Sequence, residues 1–468
     1  MNYTVRRVLS AVALTSLAAT MVACQASQFG PGAFGPRPVN AAGTVRSAAA
    51  PSSPNAAALA DAVRRGLDHV PGEFLVKLRP GATAQAVMAQ GNTRSMGFQS
   101  KPVGSMQSGI VLMKSASGAR SASSGAQALQ ALRSNPAVLY AEPNFIVKLN
   151  LPANEPQAPV RPDAAAKPND PMFDKQYHHK NIQSLQGWGV EQGNKDFVLA
   201  IVDTGVDPKH PDLAAKLLPG YNTVDDNDIV EDGNGHGTHC AGIAAAITNN
   251  GVGVAGVAPD VRILPVQVLS KEGYGSYASV AAGIIWAADH GAKVISMSLG
   301  GSSNSKIVED AVKHAISKDA MLIAAMGNSG AGADGMKPIA SYPAAIDGVM
   351  AVSASDSDDK RARFSQVGKW NSVIAPGVNI LATFPTTPSQ MPGKDYGAIS
   401  GTSMSTPAVA GLASLVRSKF PQLNQLQVKA HIEATSDDLG APGYDIQFGH
   451  GRINVGRALN TAPGAVRR

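Results

Sequence analysis

Two folded parts are expected: a large α/β domain on a mainly parallel sheet flanked by helices, and a small α+β unit ahead of it. Three observations carry this expectation. Over residues 170–460, short continuous apolar runs alternate with helical stripes, as strands buried on both faces of a parallel sheet require. A tighter strand–helix alternation fills 70–149. Two stretches rich in Ala, Pro, Gly and Ser, 25–69 and 150–169, set the parts apart. The chain has 468 residues, more than one ordinary domain needs.

The elements follow in chain order. Arg6 and Arg7 precede the apolar run VLSAVALTSLAATMVA, which ends at Cys24. A charged segment and an apolar run too short to span a bilayer form the pattern of an export signal over 1–24. Its MVAC ending resembles a bacterial lipobox, so two outcomes stand: lipidation of Cys24 with anchoring at the cell envelope, or ordinary signal cleavage and secretion. Residues 25–69 read as a flexible tether. In the small unit, GEFLVKL (72–78) and GIVLMKS (109–115) read as strands, AQAVMAQ (84–90) and AQALQALRSN (126–135) as helices, and AVLYAEPNFIVKL (137–149) as one or two strands. That order suits a ferredoxin-like α+β unit. Residues 150–169 read as a linker and 461–468 as a tail. Within the large domain FVLAIV, VRILPVQVL, AKVISMSL, AMLIAAM and GVMAVSAS are the strand runs, and SKIVEDAVKHAISKDA carries a helical stripe through Ile307, Ala311 and Ala315.

Charge is distributed unevenly. Residues 1–169 hold 16 Lys+Arg against 6 Asp+Glu, and 170–460 hold 22 against 28. A basic front and an acidic back attract each other. No Arg/Lys cluster with interleaved aromatics is present, so nucleic acid is not an expected partner. With Cys24 removed or modified, Cys240 is left alone, and no disulfide framework exists.

Reactive groups in an open α/β sheet gather at the carboxyl ends of strands. Asp203 directly follows FVLAIV. His236 follows a glycine-rich loop and opens a small-residue helix. Ser403 lies in GTSMSTPAVAG, where Pro407 suits a helix's first turn. A serine alcohol needs an adjacent base, itself oriented by a carboxylate, and these three residues supply that set. The stretch DGNGHGTHCAG also permits a second reading, because His236, His239 and Cys240 share one helix face as three legs of a zinc site. No further Cys/His cluster closes such a site in the usual way, which favours His239 and Cys240 as packed neighbours.

The motifs VDTGVDPKHPDL, GHGTHCAGIAAA, VISMSLGG, AAMGNSG and GTSMSTPAVAG resemble those of the subtilisin-like (subtilase) serine peptidases, and the NDP opening at 169–171 is similar to thermitase-like members. The resemblance covers about 170–460, and 70–149 resembles the family's inhibitory, chaperone-like propeptide. It implies Ser403 as nucleophile, His236 as general base and acid, Asp203 as orienting carboxylate and Asn328 as oxyanion donor. It also implies that Ser298, Leu299 and Gly300, with Gly273, Tyr274, Gly275 and Ser276, pair with substrate as added strands. Structural calcium is implied at Asp170, Asp212 and Asn250, and at a second site through Asn222, Asp225, Asn227 and Glu231; no catalytic metal is expected. Three departures occur: Ser405 and Ala408 replace the usual alanine and histidine of the serine motif, and Met326 replaces an alanine beside the specificity pocket, narrowing it. The implied function is an exported serine endopeptidase, made as a zymogen that cuts its own linker, with protein and peptide substrates, its own propeptide as inhibitor and broad specificity that accepts bulky apolar residues before the cut. A monomer is the default. The rivals are a metal-dependent hydrolase and a catalytically silent, lipid-anchored binding protein.

Overall fold

The computed structural model describes residues 54–105, 108–116, 122–154 and 167–465. The export signal, Cys24, most of the tether and part of the linker lie outside the described residues. None of the described helices is long and apolar enough to cross a membrane.

The small unit runs α1 (Pro54–Arg64), β1 (His69–Leu78), α2 (Ala84–Ala89), α3 (Gly91–Arg94), β2 (Phe98–Pro102), β3 (Ile110–Ser115), α4 (Ala122–Arg133), β4 (Val138–Lys148). Its strands pair antiparallel in the order β2-β3-β1-β4, the ferredoxin-like arrangement. Alternation along the strands sends Phe74, Val76, Phe98 and Met113 inward against Leu132, and Phe74 meets Phe98 edge to face. Of the one or two strands read over 137–149 one forms, β4, whereas α3 and β2 are not among the elements read from sequence, and α1 lies within the stretch read as tether. Alanine suits a helix as well as a linker, and here Leu59 and Ala62 are buried, which decides between them.

The large domain opens with the short helices α5 (Tyr177–Asn181) and α6 (Ser184–Trp188). It continues β5 (Val198–Asp203), β6 (Tyr221–Asn222), α7 (His236–Ala245), β7 (Arg262–Gln267), β8 (Tyr274–Ser276), α8 (Tyr277–Asp289), β9 (Val294–Met297), α9 (Lys306–Ser317), β10 (Met321–Ala325), β11 (Met350–Ser355) and β12 (Asn371–Pro376). The antiparallel hairpin β13 (Ile380–Thr383) and β14 (Tyr396–Ile399) follows, then α10 (Thr402–Lys419), α11 (Gln425–Thr435) and α12 (Val455–Asn460). Seven strands form a parallel sheet in the order β12-β11-β10-β9-β5-β7-β6. From β5 the chain passes to the edge strand β6, comes back to β7 beside β5, then crosses to β9 and runs outward through β10 and β11 to β12 on the other side. The order therefore reverses between β5 and β9, where such sheets place their sites. One face packs on α7 and α10 through Ile201, Ile243, Ile323 and Leu412. The opposite face packs on α8 and α9 through Val202, Ile284, Val308 and Leu322.

The two parts meet across α8, α9 and β8. Strand β4 pairs antiparallel with β8, Ile146 opposite Ser276 and Lys148 opposite Tyr274. Glu142 caps α9, accepting from the Ser305 hydroxyl and from the N–H groups of Lys306 (3.1 Å) and Ile307 (3.2 Å). A carboxylate is favoured there by the free amides and by the helix dipole. Asn144 Oδ1 accepts from Ala278 N–H in the first turn of α8 (2.9 Å). Lys77 pairs with Asp310 (3.3 Å) and Lys101 with Asp226 (2.9 Å), and Tyr140 donates to Asp310 (2.6 Å). The opposite charge of the two halves thus has named contacts, though a partly exposed pair such as Lys101–Asp226 contributes only about 0–1 kcal/mol.

Three of the buried imidazoles, those of His178, His179 and His239, sit near one another inside the large domain. The His178 and His179 rings lie 4.3 Å apart between centres, tilted by 36°, and His239 on α7 lies close by. Burial pulls His179 down to about 4 and His239 to about 3, and holds His178 well below the ordinary histidine range. An unfolded chain takes up protons at these residues below about pH 6.5 that the folded chain refuses. Stability present above that pH is therefore lost as pH falls, by about 1.4 kcal/mol per unit for each such histidine. The thermal midpoint of the Ser403→Ala protein should drop steadily between pH 6.5 and 4.5. A flat profile over that range would contradict the burial argument.

Candidate active site

Asp203 ends β5 and is buried; its Oδ1 accepts from Thr204 N–H (2.8 Å) and from His236 Nδ1–H (2.7 Å). His236 is the first residue of α7. The helix reaches the strand end because residue 237 is glycine: a β-carbon there would lie 2.1 Å from the Gly205 carbonyl oxygen and 3.1 Å from Asp203 Cβ. Gly235 precedes it at φ 101°, a conformation other residues rarely adopt. Burial alone disfavours an imidazolium at His236, but the Asp203 carboxylate outweighs it and holds the group well above the ordinary range.

The loop before α7 is braced by Asp232, a residue the sequence analysis did not single out. Its Oδ1 accepts from the Thr204 hydroxyl (2.8 Å) and the N–H groups of Asn234 (3.1 Å) and Gly235 (2.7 Å). Its Oδ2 accepts from the N–H (2.8 Å) and hydroxyl (2.7 Å) of Thr238. An acid just before a glycine-rich loop, with threonine beyond it, was the signal available in the sequence.

Ser403 lies in the first turn of α10. Pro407 falls inside the helix, not in its first turn as expected from sequence. Having no N–H, it leaves the Ser403 carbonyl without its intrahelical partner. The Ser298 hydroxyl (2.8 Å) and the Cys240 thiol (3.5 Å) donate to that carbonyl instead. Cys240 Sγ also lies 3.9 Å from His236 Nδ1, so one thiol touches both residues. Ser403 Oγ donates to the Ser298 carbonyl (3.2 Å), and His236 Nε2 is buried without a hydrogen-bond partner among the described residues. The zinc-type grouping of His236, His239 and Cys240 is not assembled, because His239 Nε2 donates to the Gly397 carbonyl of β14 (3.1 Å). Among the described residues, the group whose ligand atoms do converge is Asp203, His236 and Cys240.

Asn328 follows β10. Its Oδ1 accepts from the N–H and the hydroxyl of Thr402, both at 2.9 Å. Since that oxygen faces an N–H donor, the amide nitrogen points the other way, and it donates to the Asn150 carbonyl at 2.7 Å. Asn150 arrives there because β4 continues along β8 and Leu149 N–H donates to the Gly273 carbonyl (2.9 Å). Ser298, Leu299 and Gly300 line an adjacent cavity of about 270 Å³, together with Asn150, Asn328 and Ser403. Ala325 and Gly327 line it, whereas Met326 is fully buried among the residues packed against α8 and α9. Met326 therefore does not narrow the pocket. Ser405 and Ala408 also face away, the former donating to the Ala375 carbonyl (2.8 Å).

The acidic positions separate into two groups. Asp170 and Asp212 are both buried and close, and Asn250 joins them through Nδ2 to Asp212 Oδ1 (2.8 Å). Asp170 accepts from the N–H groups of Asn249 (2.7 Å) and Asn250 (3.2 Å); burial, with the nearby Asp212, raises its carboxyl above the ordinary range. In the loop after β6, Asn222 Oδ1 accepts from the N–H groups of Val224 (2.9 Å) and Asp225 (3.1 Å), and Nδ2 donates to Asp225 Oδ2 (3.3 Å) and the Ile229 carbonyl (3.1 Å). Asn227 exchanges backbone hydrogen bonds with Asn222, and Glu231 is exposed.

Comparison with known proteins gives the following. The subtilase family model, Peptidase_S8, matches residues 194–451, and the fervidolysin N-terminal prodomain model matches 55–144. The chain is 43% identical over 293 residues to thermitase of Thermoactinomyces vulgaris, covering 62% of this chain and 99% of that protein. It is 40% identical over 332 residues to a thermophilic serine proteinase of Bacillus sp. strain AK1, covering 71% and 75%. Its fold is similar to the crystal structure of fervidolysin from Fervidobacterium pennivorans, a keratinolytic enzyme related to subtilisin, with a TM-score of 0.72 at 27% identity; the match covers 85% of this chain and 62% of that one.

The Asp203–His236 contact makes a prediction of its own. Asp203→Asn removes the charge that holds the imidazolium, so the His236 titration, followed by NMR in the Ser403→Ala protein, should move to lower pH. An unmoved titration would show that another group sets it.

Proposed function

The chain belongs to the subtilase family, whose members are serine endopeptidases, and on that footing we propose that Ser403, His236 and Asp203 act as its nucleophile, general base and orienting carboxylate. The single observation that supports this most is the Asn150 carbonyl, held 2.7 Å from Asn328 Nδ2 on a strand paired with β8. Asn150 and Ser403 line the same cavity, so on this reading Asn150–Leu151 is the bond offered to the serine. Ser403 Oγ turns from the Ser298 carbonyl to the free Nε2 of His236, gives up its proton there and attacks the Asn150 carbonyl carbon. Negative charge develops on the oxygen already facing Asn328, where a fixed donor is worth most. Collapse expels the Leu151 amine, protonated by His236, and water then hydrolyses the Asn150 ester.

The prodomain is read as an intramolecular inhibitor as well as the first substrate, because β4 fills the edge of β8 where an added strand of substrate would pair. Export is read from the sequence before Cys24, with both anchored and secreted outcomes retained, and broad proteolysis from the family. The linker is assigned to 150–169, with its processing site at the first bond.

Structural calcium fits the first acidic group. Asp170 and Asp212 offer buried hard oxygens, and among the described residues neither has a Lys or Arg partner. Asp170, Asp212 and Asn250 would hold the ion, which supplies charge compensation to two adjacent carboxylates. The second group fits less well, since Asn222 and Asn227 bring no charge and Glu231 is exposed.

Two experiments follow. Wild type should release a fragment whose N-terminus is Leu151, and its Ser403 should be labelled by PMSF; Ser403→Ala should do neither. Identical processing of both proteins would assign the cut to another protease. Calcium at a hundredfold its Kd adds about 2.7 kcal/mol, so EDTA should lower the melting temperature by roughly 5 °C or more, and Asp212→Asn should erase the difference. A melting temperature indifferent to EDTA would remove calcium from this reading.

A further inference from the structure

The chain keeps hold of the large domain beyond the bond proposed to be cut. Leu151 packs, half-buried, against the apolar cluster that joins α7 and α10 to the sheet. Further on, the side chain of Asn154 is gripped at both ends. Its Nδ2 donates to the Ala398 carbonyl of β14 (3.0 Å), and its Oδ1 accepts from the Ser400 hydroxyl (2.8 Å). A carbonyl only accepts, so Ala398 fixes which end of the amide is nitrogen. Ser400 is fully buried, and its oxygen accepts in turn from the Asn379 N–H (2.9 Å). That bond leaves the hydroxyl proton to point toward Asn154; a second acceptor, Asn379 Oδ1, stands further off at 3.4 Å.

One carbonyl and one hydroxyl thus face a side chain that must both donate and accept, and an amide does both. A carboxylate of the same shape has no proton for Ala398, and an aliphatic side chain answers neither group. Ala398 and Ser400 lie on the segment that leads from β14 into α10 and Ser403. Gly401 N–H pins that segment to the Gly377 carbonyl (2.8 Å), so the pair keeps a fixed distance from the nucleophile. Asn154 itself is exposed, and the pair is therefore reached from solvent.

We propose that Ala398 and Ser400 form a subsite on the leaving side of the cleft, selecting asparagine at the fourth residue after the cut bond. Leu151, Pro152, Ala153 and Asn154 are those four residues in the chain itself. The subsite adds, within broad proteolysis, a preference on the side of the bond away from the cavity. This inference rests on the peptidase reading and on Asn150–Leu151 as the bond cut. When no amide is present the Ser400 proton turns to Asn379 Oδ1, so the gain is that of ordinary neutral hydrogen bonds, about threefold to tenfold. Aspartate loses more, because it sets a charged acceptor against the Ala398 carbonyl.

The test uses the self-processed enzyme and internally quenched peptides that copy residues 146–153 and continue with Asn, Leu or Asp. Wild type should give a kcat/KM for the Asn peptide about threefold to tenfold above that for Leu, with Asp lowest. The enzyme's own new N-terminus carries Asn154 and competes with every peptide alike, so these ratios are unaffected by it. Ser400→Ala should lower the Asn-to-Leu ratio about twofold or more. Equal values for the three peptides in wild type overturn the inference whether or not Ser400→Ala folds, and so does an undiminished ratio in a folded Ser400→Ala. A new N-terminus other than Leu151 also overturns it, since Asn154 then no longer stands fourth. Enzyme that PMSF labels but that cuts all three peptides alike refutes the subsite alone. Enzyme that takes no label and cuts no peptide refutes the peptidase reading beneath it.

Discussion

One hydrogen bond, from His236 Nδ1 to Asp203 Oδ1, ties the start of a helix to the end of a strand, and much of the architecture exists to permit it. The parallel sheet sets Asp203 at a carboxyl end beside the reversal between β5 and β9. Gly237 lets α7 approach within reach of Gly205 and Asp203. Asp232 holds the preceding loop in place with both of its oxygens, a buried carboxylate held above the ordinary range because burial outweighs the donors around it.

The serine side is built on a deliberate gap. A proline within α10 frees one carbonyl, and Ser298 and Cys240 close on it from β9 and α7. Three elements far apart in sequence thereby converge on the residue whose hydroxyl matters. The same logic fixes Asn328: Thr402, next to Ser403, determines which end of the amide faces outward. Position in both cases comes from satisfying backbone groups that would otherwise be stranded.

Much of this was legible in the residues. Continuous apolar runs marked β5, β7, β9, β10 and β11, since a strand covered on both faces needs no polar alternation. β12 escaped notice because NSVIAP begins with polar residues that are nonetheless buried. The hairpin β13–β14 has one half-exposed strand and no clear period. Alanine-rich α1 was indistinguishable from linker until its partner strand was in place. At the site, Asp203, His236, Ser403 and Asn328 could be chosen from their motifs, but which way a side chain turns could not. Met326 and Ala325 are adjacent, yet strand alternation gives only one of them to the cavity.

Strand β4 sits in β8's edge as part of one chain, so its concentration there is set by geometry, not by the amount of protein in solution. Opening the backbone at residue 150 would change that. The prodomain would then be held only by its own contacts, among them the Glu142 cap and the Lys77 and Lys101 pairs, and would compete for the cleft as a separate molecule. Release would become a matter of mass action: retained in a crowded compartment, shed on dilution. A single cut would thus convert a fixed occupant into one whose residence depends on where the protein finds itself.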